Sequence, residues 1–368
     1  MAGCALLPHL QGDEARGQDA IDFALPEGEA RISLAPARHY ERIAGKKVIC
    51  RLCPRECRVA DQERGYCGVR ENRGGDYFTL VYGRVCAVHV DPIEKKPLFH
   101  VLPGTSALSL ATAGCNMECR FCQNWQISQF RPEQVSSTEA PPAGVLRAAR
   151  QHQTRTIAYT YSEPTVFYEY MLDVARLTSG EGIRNVVISN GYIAEAPLRE
   201  IAPYLAANKV DLKAFTADFY RDQCSATLPP VLHTLQVLRE LGLWTEIVVL
   251  IIPTLNDDAE SNRAMFQWIA RELGPDVPVH LTRFHPTYKI QNLPRTPVAT
   301  LEHLHAIATA EGLHFVYLGN VRGHAAESTY CPRCGHKIIE RFGYVLGKID
   351  LQDGACRECG EVIPGVWS

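Results

Sequence analysis

Between about residues 107 and 320, short apolar runs alternate with segments of helical period, and this alternation limits the chain to a parallel α/β architecture. Candidate strands lie at 107–111, 156–161, 185–189, 209–213, 246–252, 279–284 and 314–318. Helical periodicity fills most of the gaps between them, at 165–177, 196–207, 230–241 and 259–273. Strands this short and continuously apolar are expected to be buried on both faces, as in βαβ units. An open doubly wound sheet and a βα barrel both satisfy the pattern. No G-x-G-x-x-G follows the first strand, and polar residues recur at strand ends: Glu163, Asn190, Asp211 with Lys213, and His285. Residues converging from many strands favour a barrel, which carries its site at the C-terminal ends of its strands.

The rest of the chain divides around this block. Residues 1–37 show no sustained period and read as an N-terminal extension to which no function is assigned. Residues 38–103 are loop-rich, with a strand-like stretch at 77–90 and too few apolar side chains to fold without a staple. The barrel is expected over 104–325, and 326–368 forms a small C-terminal module. The longest apolar run, 247–253, falls far short of the roughly 20 residues needed to span a bilayer. The first residues have no basic stretch ahead of their apolar patch, so a cytoplasmic location is expected. A net charge of −3 with no run of one sign leaves no electrostatic footprint for nucleic acid or anionic lipid.

Cysteine is the compositional outlier, with 14 residues in a chain expected to be cytosolic, where disulfides are rare. Metal binding is the leading explanation. Eleven fall into three groups: Cys50, Cys53, Cys57 and Cys67; Cys115, Cys119 and Cys122; and Cys331, Cys334, Cys356 and Cys359. Cys4, Cys86 and Cys224 stand alone and read as buried thiols. The central group follows the first barrel strand as ATAGCNMECRFCQNW, a C-x3-C-x2-C loop with no fourth cysteine nearby. A closed zinc or cubane site takes four protein ligands, so three leave one coordination position open for substrate chemistry. Met117 and Phe121 are placed to shield a cluster from water, and Gly114 permits close backbone approach. The competing reading of this loop is a zinc site completed by a distant histidine, or free thiols.

C-x3-C-x2-C with an aromatic residue before its third cysteine resembles the radical S-adenosylmethionine (SAM) superfamily. The likeness extends to CRLCPRECRVADQERGYCGVRENRGG, DPIEKKPLFHVLPG, YTYSEPTVFYEY, SNGYI, VDLKAF, HLTRFHPTY and YLGNVRGH, over about residues 38–335. Together these segments resemble the radical SAM component of the AmmeMemoRadiSam system, a relative of pyruvate formate-lyase activating enzymes. The resemblance implies a partial (β/α)6 barrel, with any seventh strand an addition. It also implies that Cys115, Cys119 and Cys122 hold a [4Fe-4S] cluster whose fourth iron binds SAM. One-electron reduction would then release a 5′-deoxyadenosyl radical that abstracts hydrogen from substrate.

By the same resemblance, Glu163 holds the SAM ammonium, although its turn, Tyr161-Ser162-Glu163-Pro164, lacks the two glycines of the activating enzymes. Asn190 lies in a Ser-Asn-Gly turn similar to their Thr-Asn-Gly. Lys213 neutralises carboxylate charge, Asp211 supports the site, and His285 approaches the ribose. Asp211 and Lys213, two apart on a strand, point to one face, and Arg283 stands two residues before His285. Tyr159, Tyr161, Tyr168 and Arg322 are candidates either for a pocket or for core and surface.

The C-terminal cysteines form two C-x2-C knuckles, each followed by glycine, which is a zinc-ribbon pattern and a closed structural site. The N-terminal set, C-x2-C-x3-C-x9-C, reads as a folding staple for zinc, with an auxiliary iron–sulfur cluster as the rival. The expected partners are a reductant such as ferredoxin or flavodoxin and a protein or small-molecule substrate. Two alternatives stand beside this reading. One is a glycyl-radical activase acting on a partner protein, against which the cysteine-free stretch QNWQISQFRPEQVSSTEAPP argues mildly. The other is a zinc-ribbon binding protein with an inactive barrel.

Overall fold

The computed structural model describes Ile21 and residues 32–368. Cys4 and most of the N-terminal extension lie outside the described residues. The central sheet has eight strands: β1 (Ala87–Pro92), β2 (Ser106–Ala111), β3 (Thr156–Tyr159), β4 (Arg184–Ser189), β5 (Ala207–Asp211), β6 (Trp244–Ile251), β7 (Val279–Arg283) and β8 (Val316–Gly319). Their spatial order follows the sequence from β1 to β8. The strands from β2 to β8 pair in parallel, and β1 pairs antiparallel with β2. The edge strands β1 and β8 do not pair with each other, so the barrel is partial. β8 is the additional seventh parallel strand. All four residues of β3 are buried, as expected of a strand covered on both faces.

The connections include α1 (Pro142–Gln151), α2 (Tyr168–Ser179), α3 (Glu195–Ile201), α4 (Ala217–Cys224), α5 (Pro229–Glu240), α6 (Ala259–Trp268) and α7 (Val298–Ala310). Local chemistry sets several of their ends. Thr216 and Asp258 cap α4 and α6 by accepting from the backbone amides of Phe219 and Ser261. Proline opens α1 and α5, where the missing amide has no partner to lose. The helix expected over 196–207 is shorter. It stops at Ile201, a 3-10 turn at Ala202–Tyr204 follows, and Ala207 already belongs to β5. Pro203 lacks the amide that a continuing helix would use.

The segment after β1 closes the starts of the strands. Leu98, Val101 and Leu102 are buried against Ala107, Ala158, Val186 and Ala207, at or near the first residues of β2 to β5. Glu246, fully buried in β6, accepts from the amides of Phe99 and His100 and from His280 Nε2 at 2.7–2.9 Å. The C-terminal module, built on the hairpin β9 (Lys337–Phe342) and β10 (Val345–Ile349), docks on the same segment. Buried Arg341 donates to Phe99 O at 2.7 Å, and His100 Nδ1 lies 2.7 Å from Pro364 O. No helix among the described residues is long and apolar enough to cross a membrane.

Candidate active site

The cysteine loop starts where β2 ends, and its position depends on Gly114. This residue has φ +102°, and a Cβ there would stand 2.7 Å from Val69 Cγ1 and 3.2 Å from Cys67 O. The N-terminal module therefore presses directly on the loop. Beyond it, the Met117 amide donates to Cys115 Sγ at 3.4 Å, and Ser128 Oγ lies 3.2 Å from Cys122 Sγ. Met117 and Phe121 are 1% and 4% exposed and line the same cavity as the three cysteines. Cys224, one of the solitary cysteines, is buried beside Cys119, and its thiol holds the Cys119 thiol below its ordinary range. Burial pushes Cys115 and Cys122 the other way.

Cys115, Cys119 and Cys122 share a cavity of about 430 Å³ with Glu163, Asn190, Asp211 and Lys213. Glu163 is almost fully buried after β3. Its Oε1 accepts from Thr165 N, Thr165 Oγ1 and Ser189 Oγ at 2.7–3.0 Å, and its Oε2 accepts from Asn190 N at 2.9 Å. Burial raises its pKa, and these donors oppose the rise. The turn before it has no glycine, and Tyr161 itself adopts φ +64°. That conformation is costly for a tyrosine and is held from both ends. Tyr161 Oη donates to Asp91 Oδ2 at 2.6 Å, and Asn124 Nδ2 donates to Tyr161 O at 2.8 Å. Asn190 Nδ2 donates to Asn116 Oδ1 at 2.9 Å and stands 3.8 Å from Cys115 Sγ.

Asp211 ends β5 and receives two ammonium groups. Lys213 Nζ donates to Oδ2 at 2.9 Å, and Lys209 Nζ donates to Oδ1. Burial alone would raise the Asp211 pKa, but the two lysines more than offset it and bring it to about 2. Lys209 was missed in the sequence reading, although the two-residue strand period that pairs Asp211 with Lys213 also points to it. Lys96 was missed as well. It is 2% exposed, lines the same cavity and donates to Asp91 Oδ2 at 2.5 Å; burial lowers its pKa to about 8. Lys95, after β1, and Asn320, after β8, line the cavity from the two unpaired sheet edges.

His285 does not line this cavity, and the neighbouring Arg283 is turned to Thr296 O at 2.7 Å. Tyr161 lines it, whereas Tyr159 and Tyr168 are core residues bonded to Asn185 Oδ1 and Pro197 O at 2.9 Å. Arg322 packs over the Phe342 ring. A larger polar cleft of about 720 Å³ runs between the N-terminal module and the barrel. It touches Cys67 and Cys115 but none of the strand-end residues, so the site's chemistry is concentrated in the smaller cavity. In the C-terminal module, the sulfurs of Cys331, Cys334, Cys356 and Cys359 lie within 4.8 Å of one another, an arrangement able to hold a metal ion.

The sequence model of the radical SAM superfamily matches residues 109–263, the stretch that carries the cysteine loop and the strand-end residues of β3 to β5. An uncharacterized protein of Methanocaldococcus jannaschii, MJ0808, is 44% identical over 329 residues, spanning 89% of this chain and 98% of that protein. The chain belongs to the radical SAM superfamily. A second uncharacterized protein of the same organism, MJ0674, is 22% identical over 259 residues, covering 67% of this chain and 68% of its own. Among solved structures, a radical SAM methyltransferase from Sphaerobacter thermophilus is 17% identical with a TM-score of 0.48, covering 63% of this chain and 70% of its own. A domain of a pyruvate-formate lyase-activating enzyme from Bacteroides vulgatus is 16% identical with a TM-score of 0.40, covering 44% and 98%. At these scores, neither structure bears on this chain's reaction or substrate.

Membership of the superfamily implies SAM and a [4Fe-4S] cluster, and the donor set fits them. Three thiols on one loop open into a single cavity, with a backbone amide and a hydroxyl placed against two of the sulfurs. Buried carboxylates and ammonium groups stand across the same space, suited to a zwitterionic ligand.

Proposed function

We propose that this chain cleaves SAM reductively at a [4Fe-4S] cluster held by Cys115, Cys119 and Cys122, and abstracts hydrogen from a substrate in the adjoining cavity. When bound, the cluster would supply one electron, replaced by an external reductant, for cleavage of the SAM C5′–S bond, while Cys115, Cys119 and Cys122 would hold the cluster and the strand-end residues would orient SAM and exclude water from it. The observation that carries this reading is the shared cavity, which the three cysteines line together with the strand-end residues. Glu163 Oε2 accepts a single hydrogen bond and has capacity left for the SAM ammonium. Lys213, with Lys209 behind the same carboxylate, supplies positive charge for the SAM carboxylate. Asn190 holds the loop through Asn116 and offers polar contact to the ligand. His285 takes no part in this reading because it stands outside the lining.

The C-terminal module is assigned a structural zinc ion. Tetrahedral zinc with bonds of about 2.3 Å places its sulfurs about 3.8 Å apart, and Cys331–Cys359 and Cys334–Cys356 are 3.5 and 3.8 Å apart. The test of the central reaction is anaerobic reconstitution with iron and sulfide, followed by dithionite and SAM. Wild type is expected to form 5′-deoxyadenosine and Cys119→Ala to form none. Equal product from both proteins, or none from a wild type fully loaded with cluster across a panel of candidate substrates, would overturn the reading.

A further inference from the structure

The N-terminal cysteines are distant in character from those of the C-terminal module. Cys50 ends a short strand (Lys47–Cys50), and its amide donates to Cys57 O at 2.9 Å, which folds the segment back on itself. Cys53 and Cys67 complete the enclosure, and the four cysteines line one void of about 20 Å³ with Gly65, Arg70 and Tyr77. The Tyr66 amide donates to Cys57 Sγ at 3.4 Å.

Two features separate this site from a zinc staple. The first is size. The C-terminal sulfurs close to within 4.8 Å of one another, whereas those of Cys50, Cys53, Cys57 and Cys67 form no such group. A void that admits a sphere of about 1.4 Å radius keeps sulfur centres no closer than about 3 Å to its middle. Zinc, with bonds of about 2.3 Å, would draw them closer. The second is an excess of donors. Arg70 and Tyr77 are each 1% exposed and both line the void, and Arg70 Nε and Tyr77 Oη have no hydrogen-bond partner. The remaining Arg70 nitrogens are occupied by Glu169 at 2.9 and 3.0 Å and by Arg38 O at 2.7 Å. Buried donors left unmade are costly, so two beside one void call for acceptors inside it. Gly65 keeps that space open: a Cβ there would stand 2.7 Å from Tyr77 Oη and 3.8 Å from Cys57 Sγ.

From these observations we infer that Cys50, Cys53, Cys57 and Cys67 hold a second iron–sulfur cluster, whose thiolate and sulfide sulfurs accept from Arg70 Nε and Tyr77 Oη. Iron with bridging sulfide occupies the wider space between the sulfurs, and its negative charge suits the buried guanidinium. Asn116, in the central loop next to Cys115, lines this void, so the second cluster abuts that loop. The site's ligands are separate from those of the central cluster, and its loss is distinguishable from failure of the radical SAM reading.

The test uses the full chain with Cys115, Cys119 and Cys122 all replaced by alanine, reconstituted with iron and sulfide. Acid-labile sulfide, visible iron–thiolate absorbance and a reduced-state EPR signal are expected to persist, and to vanish when Cys53→Ser and Cys57→Ser are added. Because that last variant risks misfolding, Tyr77→Phe is measured in the same background. Loss of its donor is expected to move the cluster's reduction potential to a more negative value while iron and sulfide content stay unchanged. Zinc without sulfide in the triple-alanine protein, or a potential unmoved by Tyr77→Phe, would overturn the inference.

Discussion

Asp211→Asn removes the one carboxylate that two buried lysines share. In the wild type the side chains of Lys209 and Lys213 are 6% and 14% exposed, and Asp211 bonds to both. Holding a carboxyl at about 2 rather than at 3.8 is worth about 2 kcal/mol of folded-state stability above the higher value. Asp211 keeps 27% exposure, so solvent screens part of that contribution. The figure of about 3–5 kcal/mol for breaking a buried pair counts this same attraction from the lysines' side, so the two are not summed. We expect a loss of about 2–4 kcal/mol, read as a fall of several degrees in the thermal midpoint of the reconstituted protein. Because the folded-state value is depressed, the contribution is complete above 3.8 and disappears as pH falls toward 2. The gap between wild type and variant is therefore flat from pH 8 to about 5 and narrows below that. Adding Lys209→Met to Asp211→Asn removes one unpaired charge and should recover at least half of the loss. Equal midpoints at pH 7, a gap that widens on acidification, or further loss in the double variant would refute the reasoning.

Other consequences follow from single contacts. Gly114→Ala forces a methyl group against Val69 and Cys67 at a positive φ. It should lower the thermal midpoint and reduce iron retention at the central loop, and unchanged values for both would show that the N-terminal module does not brace the loop. Cys356→Ser opens the four-sulfur site of the C-terminal module. One zinc per chain should be lost by elemental analysis, with faster amide exchange in the segment around Phe99 and His100 that Arg341 and Pro364 hold. Full zinc retention would refute the assignment of that site.

Local chemistry was legible in the sequence alone. The short continuous apolar runs and the helical patterns between them marked the parallel strands and most of the helices, because burial on both faces leaves little choice of residue. The spacing of the cysteines marked all three groups, and strand-end position marked Glu163, Asn190, Asp211 and Lys213, which line one cavity with the central three. Contacts between distant segments were decided by the tertiary structure. Lys209 and Lys96 enter the cavity from β5 and from the segment after β1, Cys224 reaches Cys119 from the end of α4, and His285 stays outside. A tyrosine could take the left-handed turn before Glu163 because Asp91, 70 positions earlier, holds its hydroxyl. Such pairings depend on the register between strands and on how the modules press together, and neither is written in the residues adjacent along the chain.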